Sequence, residues 1–180
     1  MARHEVRLAG FGGQGIVKAG FILGKAAAIH DGKHALLSQS YGPEARGGAC
    51  AAEVIIDDVP IDYPVLSAPD IVVLMSQEAA VKYTGDLAED ATVLVDEDLV
   101  SLPDLASGGA PLTRIAEELG RKLVANITML GFLTGVTGLV GREAMEEAVK
   151  TSVPPRTIEL NLRAFDEGVR RAESLKGVTA

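Results

Sequence analysis

Residues 10–20 read "GFGGQGIVKAG". Gly10, Gly12 and Gly15 stand at the G-x-G-x-x-G spacing of a loop that joins a strand to a helix and holds a phosphate-bearing ligand. The flanks suit that reading. Val6 to Gly10 reads as a first strand ending in glycine, and Ile16 to Ile29 is apolar nearly all round, as a buried helix would be. Backbone N–H groups and the helix dipole then converge on whatever the loop holds. Lys18, in the first helical turn, opposes that dipole and makes more sense beside a bound anion than alone. The plainer reading is a tight turn with a solvated lysine.

Outward from this loop the pattern alternates. Ala35 to Ser40 and Ala51 to Ile56 read as strands, the second extended into a hairpin-like excursion by "DDVP". "DIVVLMS", 70–76, is a continuous apolar run of the kind buried in a parallel sheet. "SQEAAVKY" follows as a helix capped by Ser76, and "TVLVD", 92–96, is a further strand. "LPDLASGGAP" reads as loop. Beyond it the chain is helical, with Pro154 and Pro155 separating the last two helices. The pattern predicts a single α/β domain over 1–180, three-layered, with a mostly parallel sheet and a helical C-terminal part.

Composition narrows the function. A net charge of −8, with no basic stripe, excludes a nucleic-acid or anionic-membrane partner. Cys50 is the only cysteine, so this chain alone holds neither a disulfide nor a four-cysteine cluster. The N-terminus enters a strand directly, which reads as cytoplasmic. Leu123 to Gly141 is a run of 19 uncharged residues, long enough to span a membrane. Eight of them are Gly, Thr or Asn, however, and a helix buried on all sides fits better. Gly131 and Gly135 offer small faces on that helix, from which apolar contact with partners and self-association as a dimer are expected.

A nicotinamide dinucleotide would want an acid about 20 residues past the last glycine, at the end of the second strand. The window 34–40, "HALLSQS", has none. Instead, "SYGPEARGG", 40–48, leaves the edge of the sheet where ligands of such folds bind, with Pro43 setting a turn and Gly47 and Gly48 permitting close approach. Glu44 and Arg46 add opposite charges. Ser76 and Gln77 end another strand on the same edge. No catalytic constellation appears: His4, His30 and His34 lack partners at any recognisable spacing, and no metal cluster is expected.

With "AGFGGQG", "QSYGPEARGG", "DIVVLMSQEA" and "ELGRKLVANITMLG" in this order, the sequence resembles, over nearly its whole length, the gamma subunit of 2-oxoacid:ferredoxin oxidoreductases. The tyrosine-containing "SYGPEARGG" looks like the 2-oxoglutarate branch. The resemblance implies a Rossmann-like fold and a division of labour. Alpha and beta subunits carry thiamine diphosphate, iron–sulfur clusters sit on beta or delta, and ferredoxin accepts the electrons. The gamma chain is inactive alone and contributes to a shared coenzyme A site. Carried over, Gly12, Gly13, Gln14 and Gly15 would meet the coenzyme A diphosphate, with Lys18 nearby. Tyr41, Gly42, Pro43, Glu44, Arg46, Gly47, Gly48, Ser76 and Gln77 would lie at the ligand edge or a subunit interface. Coenzyme A carries an adenosine 3′-phosphate, so an acid in the 34–40 window would be a liability. The alternatives are an NAD(P)-dependent dehydrogenase and a purely structural assembly subunit.

Overall fold

The computed structural model describes residues 3–41 and 48–178. Six strands form one sheet: β1 (His4–Phe11), β2 (His34–Tyr41), β3 (Ala49–Asp57), β4 (Ile71–Leu74), β5 (Thr92–Asp96) and β6 (Gly108–Ala110). Their order across the sheet is β2-β3-β1-β4-β5-β6. β1, β4, β5 and β6 run parallel, while β3 is antiparallel to both its neighbours.

Among the described residues six α-helices accompany them: α1 (Ile16–Lys25), α2 (Gln77–Tyr83), α3 (Leu112–Glu118), α4 (Ala125–Thr137), α5 (Arg142–Lys150) and α6 (Ile158–Val178). The strands alternate their side chains between the two faces. Val6, Leu8, Val54, Val73 and Leu94 join α1, α4, α5 and α6 in one core, and Ala9, Ala51, Val72, Leu74 and Val93 meet Ala79, Ala80 and Tyr83 of α2 in another. The three-layer α/β arrangement with a mostly parallel sheet is thus as the pattern predicts.

Several expectations change. The hairpin is not formed at "DDVP". It joins β2 to β3 through residues 42–47, because β3 lies between β2 and β1 and pairs with both. β6 occupies a stretch expected to be loop. Its sequence, "GGA", carries no strand pattern and is held by pairing with β5. The first helix ends earlier as an α-helix and finishes in a π-helical turn over Ala26–His30.

The uncharged run forms α4, buried along its first ten residues. Among the described residues no helix is long and apolar enough to cross a membrane. Gly131 and Gly135 do not face another molecule. A Cβ on Gly131 would overlap the Phe165 carbonyl, one on Gly135 would lie 2.5 Å from the Ala172 Cβ, and one on Gly168 would overlap the Thr128 carbonyl. The two backbones touch because these positions are bare, so the glycine faces are used inside the chain and give no basis for self-association. Contacts advance together along both helices, 131 against 165 and 135 against 169 and 172, so α4 and α6 run parallel.

Candidate functional site at the glycine loop

β1 ends at Phe11 and α1 begins at Ile16, leaving four residues to turn the chain. The Gln14 amide donates to the Phe11 carbonyl at 3.1 Å and closes the turn. The Gly12 amide donates to the Gly48 carbonyl at 3.2 Å, which pins the end of the β2–β3 hairpin to the loop. Gly13 has φ 102°, a left-handed conformation, and nothing lies within 4 Å of where its Cβ would be. Another molecule has room to approach there. Gly15 is also left-handed, at φ 76°, but its missing Cβ is filled by packing, 2.6 Å from Asn126 Nδ2. That amide donates to the Gly15 carbonyl at 3.2 Å. One glycine faces outward and the other locks α1 to α4.

Gln14 has a second task that its place in the motif does not announce. Its Oε1 accepts from the Phe11 amide at 2.6 Å, and its Nε2 donates to the Met75 carbonyl at 2.8 Å. The side chain therefore ties the carboxyl ends of β1 and β4 together. Ser76 and Gln77 stand beside it on the same edge. Ser76 Oγ accepts from the Ala79 amide at 3.2 Å and caps α2, and Gln77 Oε1 accepts from the Ser101 amide at 2.8 Å. Tyr41 closes β2 opposite Cys50. Gly42, Pro43, Glu44, Arg46 and Gly47 lie outside the described residues. Cys50 pairs with Gly10 behind the loop, where burial pushes its thiol pKa up and keeps it protonated. His4 binds Asp70, Nδ1 to Oδ2 at 2.6 Å, at the opposite end of β1. No group of residues suited to a metal ion occurs among the described residues.

Beside the loop lies a feature that no contiguous stretch of sequence displays. A cavity of about 410 Å³ is walled by the first turns of α1, α4 and α6. Ile22, Val124, Ile127 and Leu160 line it, while Lys18, Arg121 and Arg156 border it. Asn126 and Asn161 are both buried and also reach it. The side chains of Lys18, Arg121 and Arg156 are exposed, and among the described residues none has a carboxylate within ion-pairing distance. Arg7, Arg142 and Arg170, by contrast, all have acidic partners. Lys18 instead places its ammonium 5.6 Å from the Phe21 ring centroid. The sequence places Lys18 near an anion but gives no motif for Arg121, Arg156 or the two asparagines. The available signal was basic residues standing at helix starts, against the dipole.

The chain resembles known proteins over its length. A family model described as pyruvate ferredoxin/flavodoxin oxidoreductase matches residues 5–171. The 2-oxoglutarate synthase subunit KorC of Methanocaldococcus jannaschii is 54% identical over 96% of this chain and 96% of its own. A solved keto/oxoacid ferredoxin oxidoreductase gamma subunit from Geobacter sulfurreducens is 44% identical, with a TM-score of 0.88 over 97% of this chain and 98% of its own. At 20% identity and a TM-score of 0.84, a 2-oxoglutarate:ferredoxin oxidoreductase from Magnetococcus marinus shares the fold with 32% of its chain; it was solved with 2-oxoglutarate, coenzyme A and succinyl-CoA bound. The chain is a member of the pyruvate ferredoxin/flavodoxin oxidoreductase family, of the gamma-subunit type.

Proposed function

We infer that this chain is the gamma subunit of a 2-oxoglutarate:ferredoxin oxidoreductase. In the assembled enzyme it supports coenzyme A-dependent oxidative decarboxylation to succinyl-CoA, with reduction of ferredoxin. The observation that carries the reading is its end-to-end similarity to a 2-oxoglutarate synthase subunit at 54% identity. Alpha and beta chains, with delta in some assemblies, supply thiamine diphosphate and iron–sulfur clusters, which perform the decarboxylation and electron transfer. One cysteine gives this chain no means of ligating such a cluster by itself.

What its own residues do is bind and position. The outward Gly13 and the first amides of α1, which have no partners within their helix, suit the diphosphate of coenzyme A. Gln14 acts through structure, holding the loop against β4, so that the amides keep their aim. Gly48, which accepts from the Gly12 amide, ties the start of β3 to the loop that would meet the coenzyme A channel. Gly13→Ala places a methyl group on the open side and strains the left-handed backbone by about 1–2 kcal/mol. In the assembled enzyme it raises KM for coenzyme A several-fold and leaves KM for 2-oxoglutarate unchanged. A KM for coenzyme A that does not move would mean the chain is an assembly scaffold. Purified alone, the chain shows no turnover.

A further inference from the structure

We propose that the connection from β3 to β4, residues 58–70, is a preformed docking arm that seats in an apolar groove with a basic rim on the alpha–beta core of the same enzyme. The identity of that partner rests on the gamma-subunit reading, while the chemistry it must offer is read from the arm itself. The arm lies at the end of the sheet opposite the glycine loop, because β1 starts beside it and finishes at that loop. The chain is then held by one end and faces its ligand with the other.

Residues 58–70 form neither helix nor strand, and connections of this length in a compact domain are usually functional or disordered. This one is tied down. Arg3 Nη2 donates to the carbonyls of Tyr63 and Val65 at 3.2 and 3.3 Å, and its Nε donates to Glu5 Oε1 at 3.1 Å. The other carboxylate oxygen of the buried Glu5 accepts from the Ser67 and Ala68 amides at 2.6 and 3.0 Å. Asp70 Oδ1 closes the base by accepting from the Glu5 amide at 2.7 Å. Pro60, Pro64 and Pro69 fix three further φ angles. The start of β1 therefore grips the arm by its backbone and leaves the large side chains out of the anchorage.

Those side chains are apolar and in water. Val59, Tyr63 and Val65 are 46%, 61% and 52% exposed. A lone exposed valine is ordinary, but three large apolar groups within seven positions of a fixed segment mark a surface meant for a partner. A segment already ordered loses little conformational entropy when it binds, so more of the burial appears as affinity. The acids then select the partner. Asp58 and Asp62 stand among these side chains, both exposed, and among the described residues neither has a basic side chain within ion-pairing distance. An anionic membrane surface would repel them, and a second copy seated arm on arm would set acid against acid. A protein groove with an apolar floor for Tyr63 and the valines, and Lys or Arg at its rim, satisfies both halves of the pattern.

The test measures binding of the full chain to the purified alpha–beta core. The triple variant Val59→Ser, Tyr63→Ala, Val65→Ser should bind roughly ten- to a hundredfold more weakly, as loss of apolar anchors does. Alone it should melt at the wild-type temperature, since all three side chains are exposed and the anchoring bonds end on backbone groups. The double variant Asp58→Asn, Asp62→Asn should associate more slowly, with a weaker dependence on salt. At concentrations that restore assembly, the triple variant should return turnover with an unchanged KM for coenzyme A, because the arm is remote from the glycine loop. Undiminished binding by the triple variant overturns the proposal, and so does self-association of the wild-type chain that the triple variant abolishes. Unchanged rates and salt dependence in the double variant overturn the basic rim. The same titration separates this inference from the reading beneath it. If the wild-type chain and the triple variant bind the core equally, the arm assignment fails and the gamma-subunit reading stands. If the wild-type chain does not bind the core, both fall.

Discussion

Arg7 is buried on the face of the sheet that α2 covers, where an unpaired guanidinium would be costly. It is met by Glu53 across the β1–β3 pair at 2.8 Å and by Asp86 at 2.5 Å. The hydrogen bond from Arg7 holds the Asp86 carboxyl below its usual pKa. A carboxyl with a lowered folded-state pKa stabilises the fold above the pKa it has in the unfolded chain, and that contribution disappears as pH falls through the lowered value. Asp86→Asn should therefore lower the melting temperature at pH 7 and have progressively less effect below about pH 4, where the unfolded carboxyl takes up its proton. Asp86 is more than half exposed, so the loss at pH 7 stays at about 1 kcal/mol or less. Thermal melts from pH 7 to pH 2.5 check this; a difference that widens toward acid would contradict it. Individual residues also show where reading a sequence stops. The spacing of Gly10, Gly12 and Gly15 announces the loop, but Gln14 gives no sign that it reaches the carbonyl of Met75, 61 positions away. Arg121 and Arg156 are likewise ordinary surface arginines until the fold sets both of them against one cavity.

Among the elements, α4 was the most legible and also the most misleading. Nineteen residues without a charge identify a helix buried all round, and its first ten residues are indeed buried. Sequence shows that such a helix has a small-residue face, but not what that face meets. The answer is Gly168 of α6, whose matching bareness lies more than thirty residues further on. Gly131→Ala forces a methyl group onto the Phe165 carbonyl, and the helices must separate to admit it. The expected cost is about 3 kcal/mol, at the upper end for overpacked cores, read as a fall in the denaturant midpoint with an unchanged slope. Gly138→Ala is a control of a different kind: it meets no atom within 4 Å and suffers only from its left-handed φ of 61°. β6 marks the opposite case. Three small residues carry no alternation to read, and their conformation is imposed by the neighbouring strand.

At the scale of the whole molecule, the antiparallel strand β3 between β2 and β1 is what brings Gly48 onto the edge that holds the glycine loop. A wholly parallel order would have set the hairpin elsewhere. The parallel packing of α4 on α6 has a different consequence. Neighbouring helices that run in opposite directions cancel one another's fields; these two reinforce, and α1 adds a third source of the same sign. The positive ends of three helices therefore meet at one corner of the fold, and an anion seated there would be stabilised by all three. Stability becomes a gauge of occupancy. At matched ionic strength, replacing chloride by phosphate should raise the melting temperature, and in the Arg121→Gln, Arg156→Gln variant the rise should shrink. An anion at a hundred times its dissociation constant would stabilise the chain by about 2.7 kcal/mol. An anion bound at this corner would then set how long an unassembled chain survives.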